Sequence, residues 1–262
     1  MQWVSVCDYE AMSRLAAERL ADVIQARAAE GAAGSVALAT GKTMLRLYEL
    51  LAARLNQEAV DLSRLLTFNL DEYLDPAGRW LEPTHPLSYR RYMQENFFSR
   101  LQPARGLLPA HCRFPEPADP ARYDAEIAAR GGLDIALLGL GFNGHIAFNE
   151  PVPQAPLGPA AFMALPTRVV DLAPLTRQTN ARLTAADDLG AVPTQAITMG
   201  MRSILAAKEI LLLTCFPEQA VPLAALRSGR VTSEIPGTCL RHHPHLTVVY
   251  TADRIVLEGG TP

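Results

Sequence analysis

Charge and cysteine are both scarce in this chain. Only 19% of its 262 residues are Asp, Glu, Lys or Arg, and the formal net charge is -3. That balance lacks the basic excess needed for bulk nucleic-acid or polybasic membrane binding. It leaves room for one small basic site, because a local field can differ in sign from the whole. The four cysteines, Cys7, Cys112, Cys215 and Cys239, stand far apart and form no C-x-x-C pair. This spacing excludes a zinc ribbon or thioredoxin-like motif. At this length a disulfide scaffold is excluded too, which makes a reducing cytoplasm the expected compartment. No basic stretch followed by an apolar one opens the chain, so the N-terminus does not read as a secretory signal. The longest charge-poor run, 135–167, contains Glu150 alone among Asp, Glu, Lys and Arg. Glycines, asparagines and five prolines interrupt it, so it cannot be a membrane helix. One carboxylate and one histidine, His145, in such a run point to the lining of a pocket.

Proline is what the chain has in excess. It has 20 among 262 residues, about 8% against a typical ~5%. Five fall within 103–120 and six within 151–174, which marks both as loop-like segments. Elsewhere, apolar periodicity predicts helices over 8–30, 43–55, 88–101, 120–130, 174–183, 199–206 and 217–228. Short apolar runs at 35–39, 65–70, 133–139, 167–171, 209–214 and 246–250 read as strands. Helices and strands alternate, and the strands are continuous apolar runs. That is the signature of an α/β fold with a mostly parallel sheet covered by helices on both faces. No internal repeat or linker appears, so residues 1–262 read as a single domain. Ligands of such folds sit beyond the carboxyl ends of the strands.

Three polar clusters follow three of these strands directly. Thr40-Gly41-Lys42-Thr43 joins a strand to a helix N-terminus, where hydroxyls, a permissive glycine and backbone N–H groups can cradle an anion. Capping alone also selects Thr and Gly at such a junction. Asn69-Leu70-Asp71-Glu72-Tyr73 puts adjacent acids after a strand, as a solvated loop or as a general base whose pKa burial would raise. The third cluster runs from Gly139 to Glu150, with Asn143, Gly144 and His145 between. There Glu150 could orient the imidazole and fix its tautomer. Gly139, Gly141 and Gly144 match G-x-G-x-x-G by letter, but no helix and no ribose-binding acid follow, so a dinucleotide is not expected. His242, His243 and His245 lack helical spacing and read as an exposed turn rather than a metal site. No metal and no cofactor are expected.

These clusters, in this order, resemble the glucosamine-6-phosphate deaminase (isomerase) family, which shares a superfamily with 6-phosphogluconolactonases and sugar-sensing regulators. The resemblance covers nearly the whole chain: LATGKTMLRLYELL (38–51), LTFNLDEYL (66–74), HPLSYRRYMQENFF (85–98), GGLDIALLGLGFNGHIAFNEP (131–151), LTRQTNARL (175–183), AITMGMRSIL (196–205) and IPGTCLRHHP (235–244). The DEY and NEP blocks belong to the deaminase branch, and FNGH looks like its shorter bacterial members, galactosamine-6-phosphate enzymes included. The resemblance implies a Rossmann-like fold and a metal-free conversion of an amino-sugar 6-phosphate and water to a ketose 6-phosphate and ammonia. It implies Asp71 as the base, with Glu72 beside it. It implies His145 as the ring-opening residue, with Asn143 and Glu150 as companions. Thr40, Gly41, Lys42, Thr43 and Arg177 fall on phosphate-binding positions. A small-molecule partner is implied, no nucleic acid or membrane, and a homo-oligomer is left open. Gln219 stands where the family has a phosphate-binding lysine, and Lys42 where it usually has a small residue, so Lys42 is expected to supply the missing charge. Insertions at 75–84 and 151–166 are expected to border the sugar site, and the proline-rich 151–174 segment that holds the second is expected to be a stiffened flap beside it. A non-catalytic phosphosugar-binding regulator, favoured by Gln219, and a lactonase-type hydrolase remain the alternatives.

Overall fold

Asp8 starts the first helix by accepting a hydrogen bond from the Ala11 N–H at 2.8 Å, the side-chain cap that a helix N-terminus requires. The computed structural model describes residues 1–257; the end of the expected domain, 258–262, lies outside the described residues. The helix, α1 (Tyr9–Ala29), buries Met12, Ala16, Leu20 and Ile24, a stripe at three- and four-residue spacing. It packs against α2 (Leu45–Gln57), which buries Leu47, Tyr48, Leu51 and Leu55.

Seven strands form the main sheet: β1 (Gln2–Val6), β2 (Ser35–Leu38), β3 (Leu66–Asn69), β5 (Cys112–Arg113), β6 (Ile135–Gly139), β9 (Ile210–Thr214) and β10 (Leu246–Thr251). Their order is β1-β10-β9-β6-β2-β3-β5, and every neighbouring pair is parallel. Every residue of β2, β3 and β9 is buried. Strands covered on both faces need continuous apolar runs, which is why these were readable from sequence. From β2 the chain steps outward to β3 and β5, whereas β6 returns to the other side of β2 and leads on to β9 and β10. The direction of winding therefore reverses between β2 and β6, the place where open α/β sheets hold their ligands.

A second, three-stranded antiparallel sheet, missed by the sequence reading, joins β4 (Asp71–Leu74), β8 (Gln195–Thr198) and β7 (Arg168–Asp171). The Asp71–Glu72 pair lies in β4 and not in a loop, with Asp71 opposite Thr198. A smaller cluster including Tyr73, Leu81, Leu87, Phe148 and Leu172 packs beside it. The edge strand β1 was missed because its residues are only partly buried and carry no long apolar run. The remaining helices are α3 (Tyr89–Asn96), α4 (Pro120–Ala129), α5 (Pro159–Met163), α6 (Pro174–Thr184), α7 (Met201–Leu205) and α8 (Ala220–Ser228).

Two expectations need correction. His243 is not in an exposed turn: it is 4% exposed, with Nε2 2.7 Å from the Ala207 carbonyl and Nδ1 accepting from the His245 N–H at 3.2 Å. Both ring nitrogens are thus spent on backbone. The 151–174 segment is not a flap over a site. Val152 donates its N–H to the Ser233 carbonyl at 3.0 Å, Gln154 reaches Thr232 at 3.0 Å, and Ser233 donates to the Leu157 carbonyl at 2.9 Å. Phe162 is fully buried, so the segment is fastened along its length.

Asp124 on α4 holds the far end of that segment. Its carboxylate accepts from the Thr167 N–H at 2.9 Å, the Thr167 hydroxyl at 2.7 Å and the Ser203 hydroxyl at 2.6 Å. The Asp124→Ala variant would strand these buried donors. A loss of about 2–3 kcal/mol is expected, read from the midpoint of urea unfolding; an unchanged midpoint would show that water replaces the carboxylate.

Candidate active site

The cleft opens at the carboxyl ends of β2, β3 and β6 and is walled on another side by α6. Thr40, Gly41, Lys42 and Thr43 line it as expected. Gly41 takes a φ of 110°, a backbone state that favours glycine, and leads into the helical turn Lys42–Met44. Tyrosine hydroxyls brace this loop from behind. Tyr92 donates to the Gly41 carbonyl at 2.7 Å, Tyr9 to the Lys42 carbonyl at 3.0 Å, and Tyr48 to the Ala39 carbonyl. Lys42 is exposed, forms no ion pair among the described residues, and is the only Lys or Arg lining the cleft among them.

The adjacent acids face opposite ways, because successive side chains of a strand alternate. Asp71 lines the cleft. Its burial, and secondarily the charge of Glu72, push its carboxyl well above the usual range. Glu72 turns into the protein, where it is wholly buried. It accepts from the N–H groups of Tyr73 at 2.8 Å, Tyr89 at 2.9 Å and Arg90 at 2.9 Å, and from the Ser88 hydroxyl at 2.9 Å. Burial raises its pKa while these bonds pull it down, and the net direction is upward. Glu72 thus anchors the start of α3 and does not line the cleft.

After β6 the chain folds back tightly: the Gly144 N–H donates to Gly141 at 2.9 Å and the Gly141 N–H to the His145 carbonyl at 3.0 Å. The imidazole of His145 lies directly over Gly141, where a Cβ would fall on the ring. The glycine pattern therefore serves the protein's own histidine. Asn143 accepts the His145 N–H at 3.1 Å through Oδ1 and donates through Nδ2 to Glu150 at 2.9 Å and to Thr176 at 3.3 Å. His145 Nδ1 lies 3.2 Å from the Thr176 hydroxyl and 3.4 Å from Glu150 Oε2. Burial pushes the Glu150 carboxyl up, but the bonds from His145, Thr176 and Asn143 outweigh it and hold the carboxyl below its usual value. His145 and Asn143 line the cleft, and Glu150 stands behind them.

Arg177 is not brought to the cleft. Residues Thr176, Thr179, Asn180 and Leu183 form the α6 face that lines it, and a residue one position on points about 100° round the helix. The Arg177 guanidinium instead donates to the carbonyls of Leu189 at 3.2 Å and Val192 at 3.0 Å. Gln219 does line the cleft, but it is 2% exposed and its amide is committed. Oε1 accepts from the N–H groups of Cys215 at 2.8 Å and Phe216 at 2.9 Å, and Nε2 donates to the Leu140 carbonyl at 2.6 Å. Neither insertion, 75–84 or 151–166, supplies a lining residue, contrary to expectation. Sequence reasoning missed Thr176, Thr179, Asn180 and Tyr89 in the wall; the three-and-four spacing within LTRQTNARL was the available signal. Among the described residues no group of three or more His, Cys, Asp or Glu could hold a metal ion.

Sheet order and cleft together define a doubly wound α/β protein with a ligand site at its topological switch point. The chain belongs to the family of glucosamine-6-phosphate isomerases and 6-phosphogluconolactonases, whose model matches residues 7–148. It is 38% identical over 259 residues to a glucosamine-6-phosphate deaminase of Geobacillus sp. (strain WCH70), covering 98% of this chain and 96% of that one. It is 36% identical over 248 residues to glucosamine-6-phosphate deaminase 2 of Bacillus subtilis (strain 168), covering 92% and 91%. Among solved structures, a monomeric glucosamine-6-phosphate deaminase superposes with a TM-score of 0.84 at 32% identity, covering 97% of this chain and 98% of that one. The 6-phosphogluconolactonase of Leishmania guyanensis shares the fold, with a TM-score of 0.70 at 17% identity and coverage of 95% and 96%.

The Gly141→Ala variant should expel the imidazole from its seat, because the new methyl group and the ring claim the same space. A crystal structure of the variant is expected to show His145 in another rotamer; an unmoved ring would refute the account.

Proposed function

We propose that this protein deaminates and isomerises an amino-sugar 6-phosphate, glucosamine or galactosamine 6-phosphate, to a ketose 6-phosphate and ammonia. The observation that carries the proposal is the pairing, in one cleft, of a buried Asp71 with His145 beside the Thr40–Thr43 loop. Moving a proton between C2 and C1 needs a base poised nearer neutrality than an ordinary carboxylate, and the upward shift of Asp71 meets that need. Opening a pyranose ring needs a proton shuttle at the ring oxygen, the role given to His145. Asn143 and Glu150 orient that histidine. Glu72 tunes Asp71 by its charge and takes no part in proton transfer. The loop and Lys42 take the phosphate, whose binding energy is remote from the reacting carbons. With Arg177 engaged by the Leu189 and Val192 carbonyls, the charge at this end falls to Lys42.

A monomeric glucosamine-6-phosphate deaminase is among its structural relatives, and activity is proposed to need no second copy even if the protein self-associates. The four cysteines are free thiols, which suits the reducing cytoplasm we infer for it. Among the described residues no helix is long and apolar enough to cross a membrane.

Ammonia release from glucosamine 6-phosphate and galactosamine 6-phosphate, each tested separately, is the deciding assay. Release from either supports the proposal; tight binding without release from either would make the protein a phosphosugar-binding regulator. Gln219 no longer favours that second reading, since its amide has a structural task.

The Lys42→Ala variant is expected to raise KM about tenfold with kcat within about threefold, the pattern of a lost uniform binding contact. An unchanged KM would remove Lys42 from the phosphate site.

Asp71 acts as a base only when ionised, so kcat/KM should fall as pH drops through its raised pKa. The acid limb is therefore expected above the ordinary carboxylate range. Glu72 contributes to that rise, so Glu72→Gln should move the limb to lower pH. A limb that stays in place, measured on folded variant, would separate the two carboxylates.

A further inference from the structure

Glu150 was expected to orient His145, and it does not act alone: a second side chain lies nearer to the imidazole. The side-chain partner of Nδ1 is the Thr176 hydroxyl at 3.2 Å, while Glu150 Oε2 lies farther off at 3.4 Å. Thr176 sits in the first turn of α6, is 2% exposed, and comes from a different part of the chain than the loop it touches. We propose that Thr176 is a positioning residue: its hydroxyl, bonded to Nδ1, works with the Glu150 carboxylate to fix the tautomer of the imidazole that faces the cleft. This rests on the proposed function insofar as it assigns His145 a proton-transfer role.

The proton count gives the direction. Asn143 Nδ2 donates to Thr176 Oγ1 at 3.3 Å and to Glu150 Oε2 at 2.9 Å. An amide nitrogen has no acceptor, so the threonine oxygen receives there. An ionised carboxylate only accepts, so Glu150 takes protons from all its neighbours, the Ala173 N–H at 3.3 Å included. Between Thr176 Oγ1 and His145 Nδ1 one proton is shared, given either by the hydroxyl or by the ring. An unprotonated Nδ1 would set its lone pair against a carboxylate oxygen 3.4 Å away. Nδ1 therefore carries the ring proton and donates it to the Thr176 oxygen. Nε2 then presents its lone pair to the cleft, ready to accept a proton from a sugar hydroxyl. The hydroxyl of Thr176 is also among the contacts that hold the Glu150 carboxyl below its usual value.

The test compares wild type with Thr176→Val, which keeps the shape and removes the hydroxyl, and Thr176→Ser, which restores it. Imidazole nitrogen NMR of 15N-histidine-labelled protein reads the tautomer, with the His145 signals assigned by their loss in His145→Gln. Wild type and Thr176→Ser are expected to show one tautomer, protonated at Nδ1. Thr176→Val leaves Nδ1 only the longer contact to Glu150, and its ring nitrogens should shift toward the average of the two tautomers. With the phosphosugar, Thr176→Val should lower kcat about ten- to a hundredfold and leave KM within about twofold, and Thr176→Ser should recover most of the loss. If valine unfolds the chain, Thr176→Ala serves in its place. A Thr176→Val protein that keeps the Nδ1-protonated signature overturns the proposal, as does a Thr176→Ser protein as impaired as the valine variant. A wild-type protein that releases no ammonia would sink the functional reading alone, because the NMR arm needs no turnover.

Discussion

Between β2 and β6 the connections of the sheet part company, and the rest of the site depends on that parting. Neighbouring loops that turn to opposite sides leave a crevice that no side chain of the sheet fills. The loop after β2 enters it from one side with Thr40–Thr43, and the loop after β6 from the other with Asn143 and His145. The third wall needs an element from outside the main sheet. The small antiparallel sheet provides its base, since β4 continues directly from β3 and brings Asp71 to the rim. Helix α6 follows β7 of that sheet and closes the side. The second sheet is therefore part of the site's construction and no mere appendage.

Three carboxylates within this frame sit in three different settings, two of which raise the proton affinity and one of which lowers it. Asp71 has burial and a neighbouring negative charge against it, with no side-chain hydrogen bond among the described residues to offset them, so its proton affinity rises. Glu72 is as deeply buried but has three N–H groups and a hydroxyl aimed at it. Those donors offset much of the desolvation cost and make the group a fastener for α3. Glu150 has donors from the histidine loop, from α6 and from the Ala173 backbone, and these win outright. An acid that stays ionised behind a histidine, and another that gains protons in front of it, are the two settings that paired acid–base chemistry requires.

The readable parts of the sequence were those where one local signal settles the structure. Buried parallel strands announce themselves as apolar runs, and α1, α2 and α4 by their stripes, with an aspartate cap at α1 and α4. Asp71, His145, Asn143 and the Thr40–Thr43 loop stood out because they follow such strands. Glu72 and Arg177 were misplaced for a shared reason. Each sits beside a cleft residue in sequence, yet strand alternation and helical twist turn it away. The partners of Glu72 lie 16 to 18 residues ahead at Ser88, Tyr89 and Arg90, a pairing that no local pattern encodes. The strands β4 and β8 were invisible because four residues of mixed polarity become a strand only when a distant partner pairs with them.

The proline excess fits the same logic once its anchors are known. Residues 151–173 leave Glu150 and return to it, because the Ala173 N–H donates to the Glu150 carboxylate. Between those ends the segment is fastened by Ser233, Thr232 and Asp124. Proline removes conformational freedom from the unfolded chain and donors from the folded one. A long connection built this way loses less entropy on ordering and asks for fewer partners. Fixing both ends of the segment fixes Glu150 between them, and through Asn143 and Thr176 the set of the imidazole. Stiffness in the strap thus becomes precision at His145, although no residue of the strap reaches the cleft.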